Sequence, residues 1–335
     1  MPQPFQSRAV ITAIGSYVPE EIMTNEDLSR LVDTSDEWIV RRTGIRTRHR
    51  AAAHEFSSHM AIAAIRNMAE RFRIDPGDAD AILVATTTPD MPFPSTAALI
   101  QKSFGMPGAL TADLNAACAG FVTALQMANG LILSGAYRKI IVVGTDTMTK
   151  ITDYTDRSTC ILFGDGAGAV MVEAATEGAF LSSFATTDGN GGHLVYLNGL
   201  SRMREGLSLP EIGNRDKLVQ NGREVYKWAV STIPGAIGNW LAQSGHCIDE
   251  LDWFVPHSAN LRMIEAICER LGIPSTRALE SVTACGNTSS ASIPLALDMG
   301  LRNGRLRPGN LVLLFGFGAG LAQSGLLMRW TAEAQ

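Results

Sequence analysis

The sequence predicts an α/β protein made of two pseudo-symmetric halves stacked in a layered α/β/α/β/α architecture. An internal repeat, a regular alternation of strand-like and helix-like stretches, and a composition rich in small residues each point there. The chain has 335 residues, 46% of them hydrophobic, so it can bury a large core. Glycine occurs 32 times while aromatic residues make up only 7%, which suits helices laid tightly on sheets.

The repeat emerges when the C-terminal half is slid over the N-terminal one. IDPGDADAILVATTT reads as a helix end, a polar turn and a buried strand, and IDELDWFVPHSAN has the same order. A helix-like stretch follows each, STAALIQKSFG in one half and NLRMIEAICERLG in the other. Next come Cys118, opening the small-residue helix AGFVTALQMANGLILSG, and Asn287, opening TSSASIPLALDMGLRNG. The apolar strands RKIIVVGTD and GNLVLLFGFG close the two units. The spacings agree, since Asp80 to Ile140 is 60 positions and Asp252 to Leu311 is 59.

Alternation of this kind predicts βαβ units, mostly parallel sheets and right-handed crossovers, with halves spanning 1–177 and 178–335. It puts Cys118 and Asn287 at equivalent strand-to-helix turns. Open α/β sheets gather ligands at the carboxyl ends of their strands, so one site between the halves can hold both residues. Outside the repeat, TNEDLSRLV and SDEWIVRRTG read as short helices capped by Asn25 and Ser35. The polar, glycine-rich stretch 186–216 reads as loops with short hairpins, an insertion that can serve as a lid.

Charge and cysteine usage narrow the function classes. The balance of 28 basic against 33 acidic residues, a net charge of −5, argues against a nucleic-acid binder that works by neutralising phosphates. The five cysteines are odd in number and show no CxxC or metal-type spacing, which fits a reducing compartment without structural zinc. The start MPQPFQSRAVITAIG lacks the form of a signal peptide, and no apolar run approaches the ~18 residues of a membrane span. A soluble, cytoplasmic protein with no membrane insertion is expected.

Three residues stand out as chemistry. Cys118 opens a helix, and a helix N-terminus stabilises a thiolate and offers N–H groups to an oxyanion. A lone cysteine in such a run more often simply packs. His257 follows the strand LDWFVP directly, and Asn287 sits in CGNTSS, where a cap or turn is the competing reading. Together, however, a thiolate, an imidazole and an amide at facing strand ends form a coherent catalytic set. The clusters GDGAG and GFGAG lack nucleotide-binding spacing and read as close packing, although glycines near Phe317 can bring a backbone N–H to an oxyanion. The run RRTGIRTRHR, holding Arg41, Arg42, Arg46, Arg48 and Arg50, follows Trp38; an aromatic ring beside guanidinium groups can sandwich an adenine and bind its phosphates.

DTSDEWIVRRTGIRTRH, FPSTA, AACAGF, YTDRST, FGDGAGAV, VPHSANLR, GNTSSAS and LLFGFGAG, in this order over nearly the whole chain, resemble 3-oxoacyl-(acyl-carrier-protein) synthase III. The resemblance implies the thiolase fold, a homodimer, and a Cys118, His257, Asn287 triad. It implies an acyltransferase that takes an acyl group from a short acyl-CoA primer onto the cysteine and condenses it with malonyl-acyl-carrier-protein after loss of carbon dioxide. Both thioesters are substrates, and no cofactor or metal is expected. By resemblance Trp38 and Arg157 stack the CoA adenine, Arg42 and Asn260 contact CoA, and Arg262 docks the carrier protein. Phe93 caps the acyl pocket of the partner subunit, and the N–H groups of Cys118 and Gly318 form the oxyanion hole.

The chain departs from the family pattern at Ser258, where many members have Gln, at Ser158 after Arg157, and at GFGAG with Leu321. These departures bear on primer choice rather than reaction type. The sequence is especially similar to synthases that accept branched primers. The competing functions are a relative serving polyketide or other secondary metabolism, a non-catalytic partner subunit, and a thioester hydrolase. Retention of Cys118, His257 and Asn287 argues against the partner subunit.

Overall fold

The computed structural model describes residues 5–197 and 217–333. In the first half the strands are β1 (Ala9–Tyr17), β2 (Glu21–Thr24), β3 (Thr47–Arg50), β4 (Ala81–Ala85), β5 (Leu110–Leu114), β6 (Lys139–Thr147) and β7 (Asp165–Ala174). In the second they are β8 (Phe180–Thr187), β9 (Val195–Tyr196), β10 (Val219–Gln220), β11 (Trp253–Pro256), β12 (Leu311–Gly318) and β13 (Ala322–Arg329). The helices up to the middle of the chain are α1 (Asn25–Ser29), α2 (Asp36–Thr43), α3 (Ser57–Phe72), α4 (Thr96–Phe104), α5 (Gly120–Leu133), α6 (Met148–Ile151) and α7 (Arg157–Cys160). Beyond them lie α8 (Gly222–Gln243), α9 (Leu261–Leu271), α10 (Val282–Cys285) and α11 (Ser292–Arg302).

Two sheets form the frame, in the orders β1-β7-β6-β4-β5 and β11-β12-β13-β8. Helices α5 and α11 lie between them, α3 and α4 cover the first sheet from outside, and α8 and α9 cover the second. This is the expected five-layer stack. A helix between two sheets must be apolar on both faces, and α5 meets that with buried Phe121, Val122, Leu125 and Ile132 among small Ala124 and Ala128. Its one long polar side chain, Gln126, donates Nε2 to Phe184 O (3.1 Å) and Gly325 O (2.8 Å) of the second sheet.

The sheets are mixed rather than mostly parallel. β4 runs parallel to β5 and β6, and β11 parallel to β12, but β6/β7, β7/β1, β12/β13 and β13/β8 are antiparallel. The reason is connection length. Only three residues join β12 to β13, far fewer than a parallel crossover needs. The second counterpart of β5 is also reduced to a single parallel bridge, Phe254 to Ala278.

The register sharpens the repeat. Asp80 N–H donates to Lys139 O (2.7 Å) and its Oδ2 accepts from Lys139 N (3.0 Å). Asp252 treats Leu311 in the same way, at 2.9 and 2.7 Å. The partner of Asp80 is therefore Lys139, not Ile140, and at these strands the halves are offset by 252 − 80 = 172 positions. The same offset relates the 3-10 turn Ala117–Ala119 to Ser289–Ala291, and the first residue of α5, Gly120, to the first of α11, Ser292.

At the N-terminus, α1 is capped by Thr24, not Asn25. Thr24 Oγ1 accepts from Asp27 N while Asp27 Oδ2 accepts from Thr24 N, a reciprocal box. Asn25 instead turns inward, donating to Asp36 Oδ1 and Ile45 O. Ser35 caps α2 as expected. Within the 186–216 stretch β9 pairs antiparallel with β10 beyond it, while 198–216, the bulk of the expected lid, lie outside the described residues.

Candidate active site

Cys118 stands in a tight turn between β5 and α5. Ala117 before it has φ 48°, a left-handed conformation that costs a non-glycine residue energy, and Asn115 Oδ1 receives the Ala117 N–H (3.2 Å). The second half repeats the device: Ser289 has φ 50°, and its N–H donates to Asn287 Oδ1 (2.9 Å). By the 172 offset Asn287 corresponds to Asn115, and Cys118 to Ser290. Cys118 and Asn287 are thus not equivalent positions, although both lie on equivalent turns. Because Ser289 N–H can only donate, its partner on Asn287 is the carbonyl oxygen, so the amide NH2 is left to face the cavity that Asn287 lines.

That cavity, about 570 Å³, is lined by Cys118, His257, Asn287 and Gly318 at its closed end and by Trp38, Arg42 and Asn260 toward its mouth. His257 follows β11 at its carboxyl end, held by its N–H to Phe315 O (2.8 Å), and its ring meets Phe317 edge-on at 5.3 Å. Its Nδ1 lies 2.7 Å from Ser292 Oγ. Gly318 ends β12 against Cys118. A Cβ there would sit 2.9 Å from Cys118 Cβ and 3.1 Å from Sγ, so only glycine lets the two turns close on each other. The cluster GFGAG is packing of this kind, and Gly316 fits as closely against Ala119.

Electrostatics corrects one expectation. The Cys118 thiol is pushed up to about 12, because burial outweighs the opposing effect of the hydrogen bond that Cys118 Sγ donates to Ser289 Oγ (3.6 Å), and the Asp146 carboxylate adds to the rise. The helix N-terminus behind it does not make a resting thiolate. Burial likewise drives His257 down to about 3, which keeps its imidazole neutral. The pair rests as thiol and imidazole, not as an ion pair. In the empty protein, alkylation of Cys118 by iodoacetamide should therefore keep climbing about tenfold per pH unit from about pH 7 to 10. A thiol at the ordinary value would level off in that range. Mass spectrometry of the Cys118 peptide checks this, and a plateau anywhere below about pH 10 would refute it.

At the mouth, two guanidinium groups lie near the Trp38 ring, Arg157 at 5.0 Å and Arg42 at 5.9 Å from its centroid. The rest of the basic run disperses. Arg48 is fully buried and plays no part in a phosphate surface. Its guanidinium donates to Asn25 Oδ1 (2.8 Å), Ile161 O (2.8 Å) and Met23 O (3.4 Å), and desolvation lowers it to about 10. Arg50 pairs with Glu21, and Arg46 anchors by its N–H to Thr283 O. Asn260 caps α9, accepting from Arg262 N and Met263 N. Arg262 is half-exposed, pairs with Glu265 (2.8 Å) and donates to Arg41 O and Val40 O at the end of α2. Phe93 does not line the cavity of the single chain and is 84% exposed.

The departures from the family pattern sort by location. Ser158 lines the cavity, whereas Ser258 and Leu321 are buried outside its lining, Ser258 Oγ accepting from Ser281 N (3.1 Å). Sequence reading missed Ser289, Ser292 and Asp146. Asp146 is buried, and its carboxylate gathers the hydroxyls of Thr86, Thr87, Thr88 and Ser290, tying the loop after β4 to the Asn287 turn. The signal was present: it lies near the carboxyl end of an apolar strand, the same ground that singled out His257.

Models of 3-oxoacyl-(acyl-carrier-protein) synthase III match residues 112–189, and those of its C-terminal part residues 241–330. The beta-ketoacyl-(acyl-carrier-protein) synthase III 2 of Halalkalibacterium halodurans is 53% identical over 98% of both chains. Among solved structures, the synthase III of Thermus thermophilus is 43% identical with a TM-score of 0.89, covering 96% of this chain and 99% of that one. The priming beta-ketosynthase of the R1128 polyketide pathway is 35% identical with a TM-score of 0.90, covering 100% and 99%. The thiolase-fold frame and these matches agree, and the chain belongs to the 3-oxoacyl-(acyl-carrier-protein) synthase III family of acyltransferases.

Proposed function

We propose that Cys118, His257 and Asn287 are the catalytic centre of a beta-ketoacyl-(acyl-carrier-protein) synthase III that condenses a short acyl-CoA primer, acetyl or branched, with malonyl-acyl-carrier-protein and starts type II fatty acid synthesis. The observation that carries this is one cavity with a thiol, a neutral imidazole and an amide NH2 at its closed end and an aromatic ring flanked by guanidiniums at its mouth. In the first half-reaction the Cys118 sulfur attacks the primer thioester. The C–S bond to CoA breaks, and the thiol proton leaves with CoA. The N–H groups of Cys118 and Gly318 receive the transient oxyanion.

In the second half-reaction the malonyl carboxylate leaves as carbon dioxide, and its bonding pair moves into the thioester as an enolate. The Asn287 amide and the neutral His257 imidazole donate to that oxygen. The enolate carbon then attacks the acyl-Cys118 carbonyl, and the sulfur departs as thiolate and takes a proton from solvent. A neutral His257 suits this role, since it donates without itself needing to be charged.

Trp38 and Arg157 stack the CoA adenine, with Arg42 and Asn260 beside the pantetheine path. A second copy of the chain supplies Phe93 to cap the acyl pocket, which accounts for so exposed an aromatic ring. All five cysteines are free, which supports cytoplasmic placement. Arg262 belongs to the carrier-protein surface. Arg262→Glu is expected to slow use of malonyl-carrier protein roughly tenfold while acylation by acyl-CoA changes less, with added salt narrowing the gap. Since Arg262 also holds the end of α2, equal loss in both half-reactions, read by initial rates, would assign it to structure alone.

The test of the whole reading is incubation with malonyl-carrier protein and a panel of acyl-CoAs, reading products by mass spectrometry. A 3-oxoacyl thioester with release of carbon dioxide is expected. Free acid without a condensed product would make the protein a hydrolase. The R1128 ketosynthase neighbour keeps a secondary-metabolism role as the second reading, favoured if the fatty acid carrier protein is refused.

A further inference from the structure

We propose that Ser292 is a positioning residue that holds His257 as the Nε2–H tautomer: its hydroxyl donates to Nδ1, so that the imidazole presents a donor to the cavity. The inference rests on the decarboxylation role given to His257 above and adds the group that sets its proton.

Proton accounting carries the argument. Ser292 opens α11, fully buried, and its Oγ lies 2.7 Å from His257 Nδ1 and accepts the Ser258 N–H at 3.2 Å. A hydroxyl has one proton and two lone pairs, and Ser258 takes one lone pair. Were Nδ1 protonated, it would occupy the other, and the Ser292 proton would have no acceptor among the described residues. A buried donor left unpaired is the costly arrangement. If instead Ser292 donates to an unprotonated Nδ1, every polar atom in the group is satisfied. The single ring proton then sits on Nε2, the nitrogen away from Ser292, in a residue that lines the cavity.

The pseudo-symmetry supplies an independent observation. At the 172 offset, His257 corresponds to Ala85 and Ser292 to Gly120. A Cβ on Gly120 would meet Ala85 Cβ at 3.0 Å, so the two positions face each other in the first half as they do in the second. The hydroxyl occurs in the half that has the imidazole and is missing from the half that does not. A serine kept merely to start a helix would have no reason to follow the histidine. Burial also holds the ring neutral, which makes its tautomer rather than its charge the quantity to be set.

The experiment is 15N NMR of the full-length, substrate-free protein labelled at histidine, with His257 assigned by the signal lost in His257→Ala. The wild type is expected to show a protonated Nε2 and an unprotonated, hydrogen-bonded Nδ1. A proton on Nδ1 overturns the inference without any Ser292 variant having to fold. Ser292→Ala should shift the Nδ1 signal and slow carbon dioxide release from malonyl-carrier protein about tenfold, while Cys118 is still acylated. An unmoved Nδ1 signal in that variant also overturns the inference. A shifted signal with unchanged carbon dioxide release would uphold the hydrogen bond and remove His257 from decarboxylation, so the two readings fail separately.

Discussion

Cys118→Ser should carry no acyl mass after incubation with acetyl-CoA or a branched acyl-CoA, and condensation should fall by roughly 10³-fold or more. The wild type should gain one acyl mass on the peptide containing Cys118. The variant is expected to fold, because Ser290, at the corresponding position of the second half, already occupies the same kind of turn. What is lost is nucleophilicity. A thiol gives up its proton as attack proceeds, whereas a hydroxyl holds its proton far more tightly. The remaining cysteines serve as controls: Cys160, Cys268 and Cys285 are buried away from the cavity lining, and Cys247 is exposed outside it. An acyl label on any of these would move the nucleophile elsewhere.

Asn287→Ala should separate the half-reactions. Acylation draws on Cys118 and on the N–H groups of Cys118 and Gly318, none of which the substitution removes. Decarboxylation places charge on the malonyl thioester oxygen, toward which the Asn287 NH2 is free to donate. Loss of one such donor costs about 2.7–4 kcal/mol, a fall of roughly 100- to 1000-fold. The variant should therefore form the acyl enzyme by intact mass yet release labelled carbon dioxide very slowly. Decarboxylation at the wild-type rate would take Asn287 out of this role. So would failure to acylate in a protein shown by circular dichroism to be folded, since Ser289 N–H then loses the acceptor that stabilises its left-handed turn and the effect would be structural.

The order of elements, the repeat, and the placing of Cys118 and His257 after strands are legible in the sequence, because these are local: apolar periodicity, caps and glycines act over a few residues; Asn287 instead follows the short helix α10 rather than the expected strand. The reading of GDGAG as packing holds in the structure, where Gly164, Gly166 and Gly168 each face a neighbouring backbone or side chain at contact distance. The structure alone decided what depends on residues far apart in the chain. An offset of 172 pairs Cys118 with Ser290 and Asn287 with Asn115, a register that strand pairing fixes. Arg48 belongs to the interior because acceptors on Asn25 and Ile161 replace its water, which a basic run cannot reveal. The thiol of Cys118 rises because desolvation, a property of the folded cavity, outweighs its hydrogen bond with Ser289. Ser292 gained meaning only when folding set it 2.7 Å from His257, 35 positions earlier in the chain.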